Sequence, residues 1–300
     1  MAEPTNDHQH MAVDPDWDNE PDDDSAISEP ITSTTSISAS ILEYRKLHGR
    51  TYQNFNTGTE YCHHMLFLAM DNKLFMAPIG ENPQRVLDVP ANCKFELDDA
   101  QLVWPYPDNH FDYVHIRCLM GSIRDWPALY REVFRCLKPG GWFEHQDYSI
   151  DVRADDGSVP KGSPLDGWGA LFQEAGERMG RTFKIIEDGR NIAWFKDTGF
   201  ENIENDMFKL PVGGWPADPK WKEIGQYNLA ITSDSLEGYI LFLLTKVMGW
   251  EYDEVQIYIA KTRKTLHDKS MHSFFDVGTV WGQKPVSTNE EEEVELAIAS

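Results

Sequence analysis

Three side chains able to hold or move a proton, Glu144, His145 and Asp147, close an apolar run that begins at Trp142. A carboxylate or imidazole at such a place can orient an acceptor or take its proton. In open α/β sheets, ligands bind at the carboxyl ends of the strands, which is where this run would put them. A strand-end histidine serves equally well in a structural hydrogen bond. Metal chemistry has less support. Cys62, Cys93, Cys118 and Cys136 show neither CxxC pairing nor the His spacing of a zinc site, so reduced thiols are expected. His63 and His64 are adjacent, and neighbours on a helix point about 100° apart, so packing or exposure fits them better than shared ligation. Lys261, Arg263 and Lys264 read as the solvated face of a helix rather than as a targeting signal.

The elements that would position these groups alternate between strand and helix, the pattern of an α/β fold. Arg85–Val89 reads as a short buried strand, and Phe111–Ile116 alternates as a strand should after the turn residues Pro107–His110. Asp125 is placed to cap a helix over Trp126–Leu137, with apolar residues at Leu129, Tyr130, Val133, Phe134 and Leu137. Pro139-Gly140-Gly141 is expected to end it before the strand Trp142–Asp147. Helices are predicted over Leu165–Met179, Arg190–Thr198, Trp221–Val247 (as one or two) and Tyr252–His267. Strands are predicted over Asn202–Leu210 and Ser273–Gly282. The Trp and Tyr residues between Trp215 and Trp250 would either cap the ligand face, suiting an apolar or aromatic acceptor, or simply pack helices.

Composition bounds the rest. The 300 residues are 41% hydrophobic, enough for a sizeable core, and carry a net charge of -23. Residues 1–40 hold ten acids and no Lys or Arg, and Glu290–Glu295 adds five; what remains is 35 acids against 27 bases. The acidic excess thus belongs mostly to two tails, and since the middle still carries more acids than bases a nucleic-acid backbone is not an expected partner. Residues 1–40 are expected to be a disordered tail and 287–300 a second acidic tail, flanking one domain over 41–286. Either tail would be a protein-partner or phosphorylation segment, or merely a solubilising one. The longest apolar run, Tyr239–Leu244, falls far short of a membrane span, so no membrane role and an intracellular setting are expected.

Several stretches together are similar to one family. Arg85–Val89, Asp98-Asp-Ala100 followed by Trp104–His110, Phe111–Arg117 and Leu137–His145 resemble, in this order, class I S-adenosylmethionine-dependent methyltransferases. Tyr44–Tyr52, Asp71–Pro78 and Met120–Trp126 narrow the resemblance to the fungal LaeA-like methyltransferases, related to a regulator of secondary metabolism. It runs from about Ile41 to Pro285. It implies a Rossmann-like sheet with a helical cap, S-adenosylmethionine as cofactor, an acceptor that is a small molecule or a protein, and location in the cytoplasm or nucleus. It also implies roles. Asp88 would sit at the cofactor edge or cap the next turn. Asp99 and Ala100 would contact the adenine. Arg117 would pair the carboxylate of the cofactor's methionine end, or form an ion pair with Asp125 or Glu144. Glu144, His145 and Asp147 would face the acceptor. Because methyl transfer is an in-line displacement, alignment matters more than a dedicated base, and no triad is expected.

The resemblance breaks after the first strand. The family's glycine-rich turn, helix, second strand and acidic strand end are missing: Val89 is followed by Pro90-Ala-Asn92, and Cys93–Leu97 already resembles the family's third strand. The first βαβ unit is therefore incomplete, by something like thirty residues of a usual unit. A parallel crossover needs roughly ten residues or more, so one strand should leave the sheet, pair antiparallel, or leave the sheet edge open. The glycine turn lets backbone N–H groups approach the cofactor, and the missing acid would take its ribose. Impaired cofactor binding is expected. The alternatives are a non-catalytic scaffold or regulatory binding protein, or a coding segment skipped when the sequence was deduced.

Overall fold

The computed structural model describes residues 11–17, 45–47, 50–52, 57–79, 83–90 and 100–286. Its centre is a five-stranded sheet in the order β3-β4-β5-β7-β6. Strands β3 (Val86–Pro90), β4 (Phe111–Arg117) and β5 (Leu137–Tyr148) run parallel, while β7 (Phe274–Gln283) is antiparallel to both β5 and β6 (Glu201–Pro211). A separate hairpin joins β1 (Arg45–Leu47) to β2 (Arg50–Tyr52). The helices are α1 (Thr57–Ala69), α2 (Trp126–Cys136), α3 (Trp168–Met179), α4 (Arg190–Thr198), α5 (Pro219–Phe242), which continues as a π-helical turn over Leu243–Met248, and α6 (Tyr252–Leu266). Among the described residues no helix is long and apolar enough to cross a membrane.

Period-two alternation divides the sheet into two faces. Val114 and Ile116 of β4, Phe143 of β5 and Val280 of β7 meet Trp126, Leu129, Tyr130 and Val133 of α2 and Phe195 of α4 in one core. On the opposite face Tyr113, Trp142 and Trp281 pack on Ala77, and Leu210 and Val277 pack on Met65 and Leu66 of α1 and Ile224 of α5. A third cluster joins α3, α5, the π-helical turn and α6 through Phe172, Leu236, Leu244 and Val255.

The expected elements appear, with informative shifts at their ends. Asp125 caps α2, its carboxylate accepting the Ala128 N–H at 2.8 Å. The helix stops at Cys136, and Leu137–Gly141 is no terminator: it is the first turn of β5, bulged so that the register with β4 jumps from Phe111↔Leu137 to Tyr113↔Trp142. Gly140 takes a φ of +75°, and a Cβ on Gly141 would lie 2.9 Å from the Lys138 carbonyl and 3.0 Å from that of Asp112, so both glycines are required by the bulge itself. Helix α3 begins at Trp168 rather than Leu165, because Pro164–Gly167 forms a turn in which the Gly167 N–H bonds the Ser163 carbonyl.

Asp112 pins the bulge to the sheet edge. Its Oδ1 accepts from Lys138 Nζ at 2.6 Å and its Oδ2 from the N–H groups of Arg85 and Gln84. Burial alone would raise this carboxyl, but Lys138 and the backbone N–H groups outweigh it and hold it below the usual range. A depressed folded-state pKa stabilises above the unfolded value, near about 4, and that stabilisation is lost as pH falls through the folded value. Asp112→Asn is therefore expected to cost about 1 kcal/mol at pH 7 in urea unfolding, with the gap to wild type closing as the titration is taken below about pH 4.

β3 stays in the sheet. It pairs parallel with β4 from Val86↔Tyr113 to Pro90↔Arg117 and is the outermost strand among the described residues. Of the three expected outcomes, it neither leaves the sheet nor turns antiparallel. Its first residue, Val86, is 49% exposed, and Leu87 packs partly buried against the α2 core. The stretch Cys93–Leu97 lies outside the described residues, as do the tail 287–300 and most of 1–40. Residues 11–17 depart from the disorder expected of that first segment. Asp14 N–H bonds the Trp215 carbonyl, Ala217 N–H bonds that of Ala12, Trp17 Nε1 donates to the Lys269 carbonyl, and Lys222 pairs Asp14 at 2.8 Å. One tryptophan and four polar anchors offset the ordering entropy that the acidic composition alone could not.

Candidate active site

The carboxyl ends of β4 and β5 open into a cavity of about 560 Å³. Its floor is Arg117, Cys118 and Met120–Ser122 after β4, with Gln146, Asp147 and Tyr148 at the end of β5. Cys62, Met65 and Leu66 of α1 form one wall; Trp168, Phe172 and Phe183 form a second. Helix α5 closes the third with Asn228, Thr232, Tyr239 and Phe242. The surface is mainly apolar and aromatic, with a few convergent polar groups, the make-up of a small-molecule site.

Asp147 builds the floor. Its buried carboxylate accepts the N–H groups of Leu119 at 3.2 Å and Met120 at 3.0 Å through Oδ2, and that of Tyr148 at 3.0 Å through Oδ1. Three backbone donors commit it to holding the loop after β4, where Gly121 packs so closely under the Phe183 ring that a Cβ would lie 2.2 Å from it. The other two strand-end candidates are elsewhere. His145 is fully buried behind Asp147, its Nδ1 2.7 Å from the Tyr130 hydroxyl and its ring stacked on Trp126 at 4.9 Å. Glu144 points to the opposite face, where Oε2 accepts the N–H groups of Met76 and Ala77 at 2.8 and 2.7 Å. Both therefore do structural work outside the cavity, and only Asp147 of the three reaches its wall.

Arg117 lies on the floor, while Asp125 caps α2 and Glu144 holds the N–H groups of Met76 and Ala77. A second guanidinium, Arg181, lines the same cavity. Asp88 pairs with His115 near the carboxyl end of β3, and Ala100 accepts the Trp104 indole N–H at 3.0 Å through its carbonyl; Asp99 lies outside the described residues. Ala100 does not line the cavity.

Of the Trp and Tyr residues between Trp215 and Trp250, Tyr239 lines the cavity, while Trp215 bonds the Ser273 carbonyl, Trp221 packs on Phe208, Tyr227 on His64 and Trp250 on Tyr258. The cap is thus one face of α5, carrying Tyr239 and Phe242, and the other Trp and Tyr residues are packing. Burial pushes the Tyr239 and Tyr148 phenols up, so both stay protonated donors across the physiological range. Sequence reasoning passed over Arg181, Asn228 and Thr232. A signal existed for the last two: they are polar residues four apart on the stripe of α5 that also carries Ile224, Ile231 and Leu236. Asn228 Nδ2 bonds the Pro211 carbonyl at 2.9 Å, and Thr232 leans on Asn228.

A sheet of three parallel strands with an antiparallel strand between β5 and β6, and a cavity at the carboxyl ends of β4 and β5, defines a Rossmann-like α/β protein. Residues 90–205 match the family described as "Methyltransferase domain". Over 258 residues the chain is 30% identical to "Probable methyltransferase tdiE" of Emericella nidulans, covering 75% of this chain and 80% of that one. "Methyltransferase pytC" of Aspergillus terreus is 28% identical over 302 residues, 85% of this chain and 92% of its own. "Secondary metabolism regulator laeA" of Monascus pilosus is 29% identical over 71% of this chain and 58% of its own. The chain belongs to the methyltransferase family that these fungal proteins represent.

Proposed function

We propose that the chain is an S-adenosylmethionine-dependent methyltransferase acting on a small, largely apolar acceptor with a polar or anionic end, and that it holds its cofactor weakly. The observation that carries the reading is the cavity: aromatic walls from α3 and α5 over a floor bearing Arg117 and the loop fixed by Asp147. When bound, the cofactor supplies an electrophilic methyl group. The protein's part is to exclude water and align the acceptor, which the apolar walls and the protonated Tyr239 hydroxyl are suited to do. Arg117 fits the carboxylate of the cofactor's methionine end, a bidentate pairing natural to a guanidinium. The ribose side fits less well, since the nine residues from Ala91 to Asp99 contain no glycine and leave too little chain for a crossover helix. Relatives named as a methyltransferase and as a secondary metabolism regulator support a role in that metabolism or its control, in cytoplasm or nucleus, with the acidic tails as segments for protein partners.

The same shortened connection favours a second reading, a scaffold that retains the cavity as a binding surface without transfer. Incubation with S-adenosylmethionine labelled in its methyl group, against a panel of phenols and aromatic acids, separates the two. Transfer that rises linearly with cofactor into the millimolar range is expected. Absence of transfer at every cofactor concentration, with acceptors still binding, would leave the scaffold.

A further inference from the structure

The cavity carries an unbalanced charge. Arg117, Arg181 and Asp147 are the charged residues among those that line it, and Asp147 is committed to three backbone N–H groups. Two guanidinium cations thus face a largely apolar space in a protein whose net charge is -23. They stand at the two ends of the floor loop. Arg117 precedes it as the last residue of β4, and Arg181 reaches its far end, where Nη1 approaches the Gly121 carbonyl at 3.4 Å.

Arg181 is held there by its backbone. Its N–H donates to the Gly176 carbonyl at 2.9 Å, and its own carbonyl oxygen fills the space a Cβ on Gly176 would need, 2.5 Å away. The Thr182 carbonyl accepts the Gly121 N–H at 2.9 Å, and Phe183 packs against Gly121. The segment after α3 is therefore stitched to the loop after β4 without help from the guanidinium. Among the described residues that group makes only the 3.4 Å contact, which is long for a hydrogen bond, and no ion pair. Arg135, partly buried as Arg181 is, gives the contrast: it pairs Glu132 at 2.5 Å and Asp108 at 2.6 Å. Most of the donor fork of Arg181 is left for a ligand.

We propose that Arg181 is the specificity determinant of this site and binds the carboxylate of an aromatic acid. The proposal rests on the transferase reading only in calling that acid the acceptor. Arg117 is matched to the carboxylate of the cofactor's methionine end, so the second arginine answers to a second carboxylate, brought by the acceptor. One planar fork suits one planar carboxylate, whereas a phosphate, with more charge, would call for further cations that the lining lacks. The wall beside Arg181 sets the rest of the class. Phe172 meets Phe183 edge to face at 5.3 Å and Trp168 at 4.9 Å, surfaces that suit an aromatic body.

The full chain, without cofactor, is titrated calorimetrically with cinnamate and with cinnamamide, an uncharged ligand of nearly the same shape. Cinnamate is expected to bind at least about tenfold more tightly, because the amide leaves the guanidinium without a counter-charge. In Arg181→Met the two ligands should bind alike, with cinnamamide little changed, which reports an intact cavity. Arg181→Lys, which keeps the charge without the fork, should fall between, and Arg117→Met should keep the preference. Peptide mapping after phenylglyoxal treatment reads the same contact without any substitution: cinnamate should protect Arg181 and cinnamamide should not. Equal affinities in the wild-type chain, no protection of Arg181, a preference that survives Arg181→Met, or one that vanishes in Arg117→Met would each overturn the proposal. A preference carried by Arg181 in a chain that never transfers methyl would count against the transferase reading alone. Transfer to uncharged phenols with no preference for cinnamate would count against this proposal alone.

Discussion

Replacing Gly225 by alanine is expected to lower stability by an amount at or beyond the top of the roughly 1–3 kcal/mol usual for overpacking, and to empty the cavity of ligand affinity with it. A Cβ there would lie 2.0 Å from the Gly213 carbonyl oxygen and 3.0 Å from its carbon. Both are backbone atoms, and the Gly213 N–H is at the same time bonded to the Gly225 carbonyl at 2.9 Å. No rotamer change relieves such a contact. Helix α5 must lift from the loop after β6, and it carries Asn228, Thr232 and Tyr239 away from the cavity as it does. Gly238, on the same helix, is the control: nothing lies within 4 Å of its added Cβ, so alanine there should stabilise by about 0.5–1 kcal/mol through helix propensity. Urea unfolding midpoints of the two variants should move in opposite directions.

Asp147→Ala should be the most damaging single change to the site. It removes the acceptor of three N–H groups, that of Leu119 buried and those of Met120 and Tyr148 partly buried. A buried donor left without a partner costs about 1–3 kcal/mol, so the loss should reach several kcal/mol. The effect on binding is separate from that on stability. Met120–Ser122 form the floor and Arg117 precedes them, so a loop released from Asp147 should weaken acceptor binding by more than tenfold even where the chain stays folded. Hydrogen exchange at Leu119 and Met120 reads the release directly. Asp147→Asn, which keeps one carbonyl oxygen toward these donors, should fall between wild type and Asp147→Ala.

Much of this was legible in the residues. Asp125 announced α2, and the alternation in Phe111–Ile116 announced β4 with its correct partner faces. Strand parity also held more than was taken from it. Phe143 belongs to the α2 core, so Glu144 had to face the other way, and a joint site of Glu144 with His145 and Asp147 was excluded by period two alone. Leu137–Gly141 reads as a helix stop because Pro and Gly punctuate helices. Its bulge became visible only through the pairing with β4, a contact no local pattern carries. Trp17 was hidden by the acids around it, since composition averages over the one residue that anchors.

The weak hold on cofactor proposed for this chain is tested by a calorimetric titration of the purified protein with S-adenosylhomocysteine. The expected result is a weak isotherm that does not saturate below the millimolar range, abolished by Arg117→Ala. Saturable binding at micromolar concentration would contradict it, because it would mean that the short connection from Pro90 to Ala100 supports the cofactor as well as a full glycine turn does.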